Sequence, residues 1–113
     1  MKLAPSSLLS PGVAAQLKDL GASLARLRIA RGIKQEEAAA RAGLSRNTAY
    51  RLEKGDPGIA IGHILRYLDA IVPGKTLHEL QSQSDPALAA LSAREQRRRA
   101  RDLSKRELEE LDF

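Results

Sequence analysis

The segment "SRNTAYRLEKG", residues 45–55, combines hydrogen-bonding side chains with the spacing of a short helix. Ala49 and Leu52 would lie on one side of that helix, and Arg46, Asn47 and Arg51 would lie on or near the other. Arginine can donate two parallel hydrogen bonds to guanine, and asparagine can pair in a similar way with adenine. These residue types therefore favour recognition of base edges, although a solvated polar face is the ordinary alternative for such a helix.

Two short helices and a glycine joint would have to position these side chains. The pattern predicts a second helix over residues 35–42, a left-handed end at Gly43, and a third helix over residues 46–54 that Ser45 caps. Leu44 would anchor the joint from beneath. Alanines would let the two helices cross closely, at positions 38, 39, 42 and 49. A helix, a tight joint and a second helix form the helix-turn-helix arrangement.

The rest of residues 11–81 predicts a small helical core. Ser10 and Pro11 favour the start of a first helix that ends at Gly32, and Gly21 is expected to loosen its first turns. Its apolar stripe would be Leu17, Leu20, Leu24 and Leu27. A fourth helix from Ile61 would bury Ile61, Ile64, Leu65, Leu68 and Ile71, and a fifth would cover residues 77–81. We expect Ala60 to give the fourth helix no side-chain cap, and Tyr67 to cover a helix edge. The fold class is all-α.

Composition limits the possible functions. The 113 residues carry a formal net charge of +5, and residues 1–84 hold twelve Lys or Arg against seven Asp or Glu, which favours a polyanionic partner. The chain has no cysteine, and His63 and His78 are isolated, so we expect no metal and no cofactor. The sequence shows no nucleophile–base pair that would predict an enzyme. We expect a cytoplasmic protein that has no association with a membrane.

The segment "LGASLARLRIARGIKQEEAAARAGLSRNTAYRLEKG", together with the apolar helix that follows it, resembles the lambda-repressor-like, Cro-type helix-turn-helix regulators, the XRE family. The resemblance covers about residues 20–71. It implies a compact five-helix fold that binds double-stranded DNA as a homodimer. It also implies that Arg28 and Glu53 form a partly buried ion pair.

The resemblance and the side-chain chemistry together predict two sets of DNA contacts. The predicted base-reading residues are Arg46, Asn47, Tyr50 and Arg51. The predicted phosphate-binding residues are Lys34, Gln35, Ser45, Thr48 and Lys54, of which Gln35 is assigned by the resemblance.

Residues 82–113 form a densely charged segment that we expect to be a helical tail separate from the domain at residues 11–81. The pattern predicts two helical pieces, near residues 93–101 and from Ser104, where Ser104 and Glu107 fit a capping box. The arginines of residues 97–101 fit either a second DNA contact or a solvated face paired with Glu95 and Asp102. Leu103, Leu108, Leu111 and Phe113 form an apolar set that favours a protein partner.

Two functions remain open. The first is a sequence-specific transcriptional regulator, a repressor, that forms its dimer through residues 73–91, where Leu77 and Leu80 lie. The second is an antitoxin similar to the HipB type, whose tail also neutralises a toxin protein. A pure interaction module that no longer binds DNA is disfavoured by the basic third helix.

Overall fold

The computed structural model describes residues 5–111, and within them a short 3-10 turn at Pro5–Leu8 precedes six α-helices and no strand. The helices are α1 (Pro11–Ala30), α2 (Gln35–Ala42), α3 (Arg46–Glu53), α4 (Ile61–Ile71), α5 (Leu77–Ser82) and α6 (Pro86–Leu111). The all-α fold with a helix-turn-helix is as predicted. Asp112 and Phe113 lie outside the described residues, so the predicted role of Phe113 does too.

Local sequence signals determine where the first three helices begin and end. The Ser10 hydroxyl accepts a hydrogen bond from the backbone N–H of Val13 at 3.2 Å, so it caps α1 as predicted. Gly43 ends α2 with a φ of 69°, a left-handed conformation that costs glycine little. Ser45 caps α3 by accepting from the N–H of Thr48 at 3.0 Å.

The core is largely aliphatic and lies between α1, α2, α3 and α4. Tyr67 is the largest fully buried side chain, so the prediction that it covers a helix edge was wrong. With Tyr67 in the core, the face of α4 that packs inward consists of Ile64, Tyr67, Leu68 and Ile71. As a result Ile61 and Leu65, which we predicted to be buried, are 66% and 45% exposed. Ala60 provides no side-chain cap for α4, as expected.

Gly21 does not loosen α1, because this helix is continuous through it. The glycine is buried, and a Cβ built on it would lie 2.6 Å from the backbone oxygen of Glu53 and 2.7 Å from that of Leu52. Only a residue without a side chain allows this approach. The glycine therefore brings the middle of α1 into close contact with the end of α3.

The charged segment after α5 forms one helix and not two. α6 runs without a break from Pro86 to Leu111, so Ser104 lies inside it and the predicted capping box is absent. No glycine or proline interrupts residues 87–111, and Asp85 and Pro86 supply a cap and a favoured first residue. The predicted break between two pieces therefore had no physical cause.

The two halves of α6 differ in their contacts. At the start, the buried Asp85 carboxylate accepts hydrogen bonds from Arg31 (Oδ2–Nη2, 2.5 Å) and Lys75 (Oδ2–Nζ, 3.3 Å), and Leu88 packs against the core. Ten residues after Asp85, Glu95 pairs with Arg26 at 2.7 Å. Every side chain in residues 96–110 is exposed. The first half of the predicted tail is therefore packed on α1, and the second half is not.

Within residues 5–111, no helix is both long enough and apolar enough to cross a membrane.

Candidate nucleic-acid interface

The third helix is held rigidly from its inner side. Ala49 is fully buried and Leu52 is 3% exposed, and both belong to the core. The close contact at Gly21 fixes the end of the helix, and the Ser45 cap fixes its start. A segment of eight residues that would be unstable alone is thereby given one orientation.

The outer side of α3 presents the residues that the sequence predicted for base reading. The side chain of Arg46 is 81% exposed, Tyr50 is 53% exposed, and Asn47 is exposed as well. Arg51 is partly buried. The structure therefore brings the four residues onto one helix, with three of them open to a ligand. Whether they contact bases stays a prediction.

Both arginines of this helix have carboxylate partners that the sequence analysis missed. Arg46 pairs with Glu36 of α2, and the Nε of Arg51 lies 2.8 Å from Oδ2 of Asp56. The other oxygen of Asp56 accepts from the N–H of Gly58 at 2.7 Å, as in a local Asx turn. The hydrogen bond from Arg51 lowers the pKa of Asp56. The turn at residues 56–58 was the available signal for this second pair.

Four of the five predicted phosphate-binding residues surround α3 without a buried partner. Lys34 and Lys54 are exposed, and the Nζ of Lys54 lies 5.5 Å from the centre of the Tyr50 ring, within reach of a cation–π interaction. Ser45 is exposed, and its hydroxyl donates to the Thr48 hydroxyl at 2.9 Å. Lys54, Ser45 and Thr48 therefore lie beside the predicted base-reading residues, and phosphate binding by these groups stays a prediction.

Gln35 differs from the other four. Its side chain is partly buried, and its amide nitrogen donates to Oε1 of Glu53 at 2.9 Å. The amide therefore supports an internal carboxylate in the DNA-free protein. The phosphate contact that the resemblance implies for Gln35 stays a prediction.

The Arg28–Glu53 pair is the centre of a buried polar network. Arg28 donates through Nε to Oε2 of Glu53 at 2.7 Å and through Nη2 to Oε1 at 3.0 Å, while its Nη1 donates to the carbonyl of Ile33 at 2.9 Å. The Tyr67 hydroxyl also donates to Glu53. The side chains of Arg28 and Glu53 are 13% and 7% exposed. The network joins α1, α3 and α4 to the start of α2.

These hydrogen bonds keep Glu53 ionised. Burial alone would raise the pKa of Glu53, but the donors Arg28, Tyr67 and Gln35 outweigh it, so the pKa lies below its ordinary value. Burial and the neighbouring carboxylate raise the pKa of Tyr67, which stays a neutral donor. Tyr67 was missed because its approach to Glu53, fourteen residues away, depends on how α4 packs.

Comparison with known proteins adds one finding to this geometry. A family model described as a helix-turn-helix domain matches residues 19–71, which extend from the middle of α1 to the end of α4. Searches of curated proteins and of solved structures found no match. The matched segment contains the predicted contact residues, the buried ion pair and the close contact at Gly21. Residues 19–71 of this chain therefore belong to the helix-turn-helix domain family.

Proposed function

We propose that this protein is a sequence-specific DNA-binding transcriptional regulator, a repressor, that reads the major groove with the outer face of α3. The observation that carries the proposal is the exposure of Arg46, Asn47 and Tyr50 on a helix whose opposite side is locked into the core. The helix-turn-helix family match supports DNA as the ligand. In such domains the second helix of the motif enters the major groove.

The side chains divide between sequence recognition and anchoring. Arg46 and Asn47 have the donors and acceptors that distinguish guanine and adenine in the major groove. Lys34 and Lys54 are exposed cations, so their role is to contact phosphates and fix the register of the helix. This division assigns specificity to α3 and most of the salt-dependent affinity to its surroundings.

Arg46 and Arg51 each have a carboxylate partner in the DNA-free protein. Arg46 exchanges the Glu36 carboxylate for a guanine edge, so little of its charge is left without a partner in either state. Arg51 remains hydrogen-bonded to Asp56, which restricts the positions that its guanidinium can take. One helix reads only a few base pairs, so two copies of the chain bind paired half-sites as a homodimer.

A second candidate function, an antitoxin, is favoured by one observation. The second half of α6 is exposed and includes Leu103 and Leu108, at 58% and 69% exposure, which a toxin protein would cover. The DNA-binding role of α3 would be the same in this case. A toxin bound at α6 would change the occupancy of the operator and would leave base recognition unaltered.

The test begins with selection of a preferred site from random DNA by the full chain. Fluorescence anisotropy then compares wild type, Arg46→Ala and Lys54→Ala on the selected site and on an unrelated duplex. We expect Arg46→Ala to lose roughly 1–3 kcal/mol on the selected site and much less on the unrelated duplex. Lys54→Ala should weaken both similarly and reduce the salt dependence of binding.

Two results would contradict the proposal. One is affinity for DNA that does not change as the salt concentration rises, since phosphate contacts release counterions. The other is an equal loss on both duplexes for Arg46→Ala, which would remove this residue from base recognition. Circular dichroism of each variant checks that α3 remains folded.

A further inference from the structure

The second half of α6 carries opposite charges in two separate blocks. Residues 94–106 contain seven Lys or Arg and two Asp or Glu, one of which, Glu95, is paired with Arg26. Glu107, Glu109 and Glu110 follow directly and form an acidic block. All side chains from residue 96 to residue 110 are exposed, so both blocks are available to another molecule.

In the part of the chain that the structure describes, the acidic block forms no contact with the folded domain, and its side chains are exposed. Within residues 5–111, neither Glu107, Glu109 nor Glu110 forms an ion pair. Lys105 and Arg106 precede Glu109 and Glu110 by four residues, and all three glutamates remain exposed to a cationic surface of another molecule.

The apolar residues that sequence analysis assigned to a dimer surface are used inside the domain. Leu80 is 3% exposed, and Leu77 and Leu88 pack against the core. Residues 73–91 therefore have little apolar surface left for a second chain. Leu103 and Leu108 of α6 are exposed instead, and they lie between or within the two charged blocks.

We propose that the second half of α6 is an antiparallel self-association surface, in which the basic block of each chain faces the acidic block of a second copy. The middle of residues 97–101 and the middle of residues 107–110 are about 14 Å apart along a helix that rises 1.5 Å per residue. One straight helix cannot bring the arginines of residues 97–101 against its own glutamates across that distance. A second copy can.

Only the antiparallel orientation pairs opposite charges. Two parallel copies of α6 would place basic beside basic and acidic beside acidic, which is destabilising. In the antiparallel arrangement Arg97 and Arg98 of each copy lie level with Glu110 and Glu109 of the other, and the two-fold axis passes near Leu103. Each copy then uses the same patch, as an isologous dimer requires. Self-association through α6 rests on the proposed function in one respect only, namely that paired half-sites require two copies of the chain.

The test measures the mass of the full chain in solution, without DNA. Sedimentation equilibrium of wild type should give a dimer at low salt whose dissociation constant rises with salt concentration. Two charge-reversed variants are compared with it: Arg97/Arg98/Arg99→Glu and Glu107/Glu109/Glu110→Lys. We expect each variant alone to dissociate at least roughly tenfold more readily, which is about 1.4 kcal/mol.

An equimolar mixture of the two variants is the decisive sample. One variant then has an acidic α6 and the other a basic α6, so the mixture should form heterodimers although neither variant forms homodimers. Circular dichroism verifies that α6 is helical in both. As a matched apolar pair, Leu103→Gln should weaken the dimer, and Leu65→Gln, on the exposed side of α4, should not.

The outcomes separate this proposal from the proposed function. A wild-type monomer at all concentrations, or a mixture that stays monomeric, would overturn the self-association of α6. An unchanged dimer in both charge-reversed variants would place the interface elsewhere and would overturn it as well. Loss of the α6 dimer with retained preference for the selected DNA half-site would leave base reading by α3 intact.

Discussion

Two arginine–glutamate pairs of this domain have the same chemistry and different surroundings. Arg28 and Glu53 are 13% and 7% exposed, and Tyr67 and Gln35 complete the hydrogen bonds of the carboxylate. Arg46 and Glu36 are 81% and 53% exposed. Water can replace either partner in the second pair, whereas in the first pair a lost partner leaves a charge inside the protein.

This difference explains how one small domain uses arginine for two purposes. The buried pair fixes the relative positions of α1, α3 and α4, because its geometry is satisfied in one arrangement only. The exposed pair has a small free energy of formation, so Arg46 can leave Glu36 for a stronger partner. Burial, and not residue type, therefore decides which arginine is structural and which is available to a ligand.

The largest effect is expected from breaking the buried pair. Arg28→Ala would leave Glu53 ionised and partly desolvated, so we expect the free energy of unfolding to fall by about 3–5 kcal/mol. Chemical denaturation measures this change in the free energy of unfolding. Arg46→Ala is the matched control and should change the free energy of unfolding by less than about 0.5 kcal/mol.

A double-mutant cycle with Glu53→Gln sharpens this first prediction. Because the two residues share hydrogen bonds, the double variant should be less destabilised than the sum of the single variants. Additive losses would mean that the two side chains are not energetically coupled. The distances between them would then have no consequence for stability.

A medium effect is expected at Asp85, whose partners are one buried and one exposed cation. Burial opposes ionisation, but the hydrogen bonds from Arg31, Ala87 and Lys75 hold the pKa of Asp85 at about 2, against 3.8 for a free aspartate. Because the pKa of Asp85 is lower in the folded state than in the unfolded state, its ionised form stabilises the fold at pH values above about 4. This contribution is lost as the pH falls from about 4 to about 2. It amounts to about 2 kcal/mol.

Asp85→Asn tests this contribution. At neutral pH the variant should be less stable by about 2 kcal/mol, and the difference from wild type should shrink as the pH falls from about 4 to about 2. Asp69→Asn, at an exposed position on α4, serves as the control. A difference that stays constant over this pH range would show that the charge of Asp85 does not stabilise the start of α6.

The smallest effect is expected at Glu36, the exposed partner. Glu36→Gln removes a carboxylate that competes with DNA for Arg46, so affinity for DNA should rise severalfold, equivalent to less than about 1 kcal/mol. The free energy of unfolding should change by less than about 0.5 kcal/mol. Glu37→Gln is a useful control, because Glu37 pairs with Arg41 on the same helix. Equal gains for both variants would indicate a general loss of negative charge.

Sequence predicted the helices well wherever the signal is local. The caps at Ser10 and Ser45 and the left-handed end at Gly43 depend on a few neighbouring residues, and the structure confirms all three. The exposed face of α3 follows from the same short pattern. α6 shows the limit of this reasoning, because a capping-box pattern at Ser104 has no effect inside a helix that nothing interrupts.

Contacts between distant residues could not be predicted in the same way. Tyr67 reaches Glu53 only because α4 is rotated by its packing on α2 and α1, and the stripe of isoleucines and leucines suggested a different rotation. Asp85 meets Arg31 across fifty-four residues. The sequence contains both partners, but nothing local indicates which cation a buried aspartate will meet.

Gly21, in the middle of α1, determines how closely this helix approaches α3. α1 touches the end of α3 at Gly21, where any side chain would collide with the carbonyls of Leu52 and Glu53, and it carries α6 through Arg26 and Arg31. The segment from Gly21 to Arg31, ten steps of 1.5 Å, is thus a rigid spacer about 15 Å long between the proposed reading helix and the start of α6. In the proposed dimer, this spacer and the part of α6 before Leu103 together set the distance between the two copies of α3, and with it the number of base pairs between the half-sites.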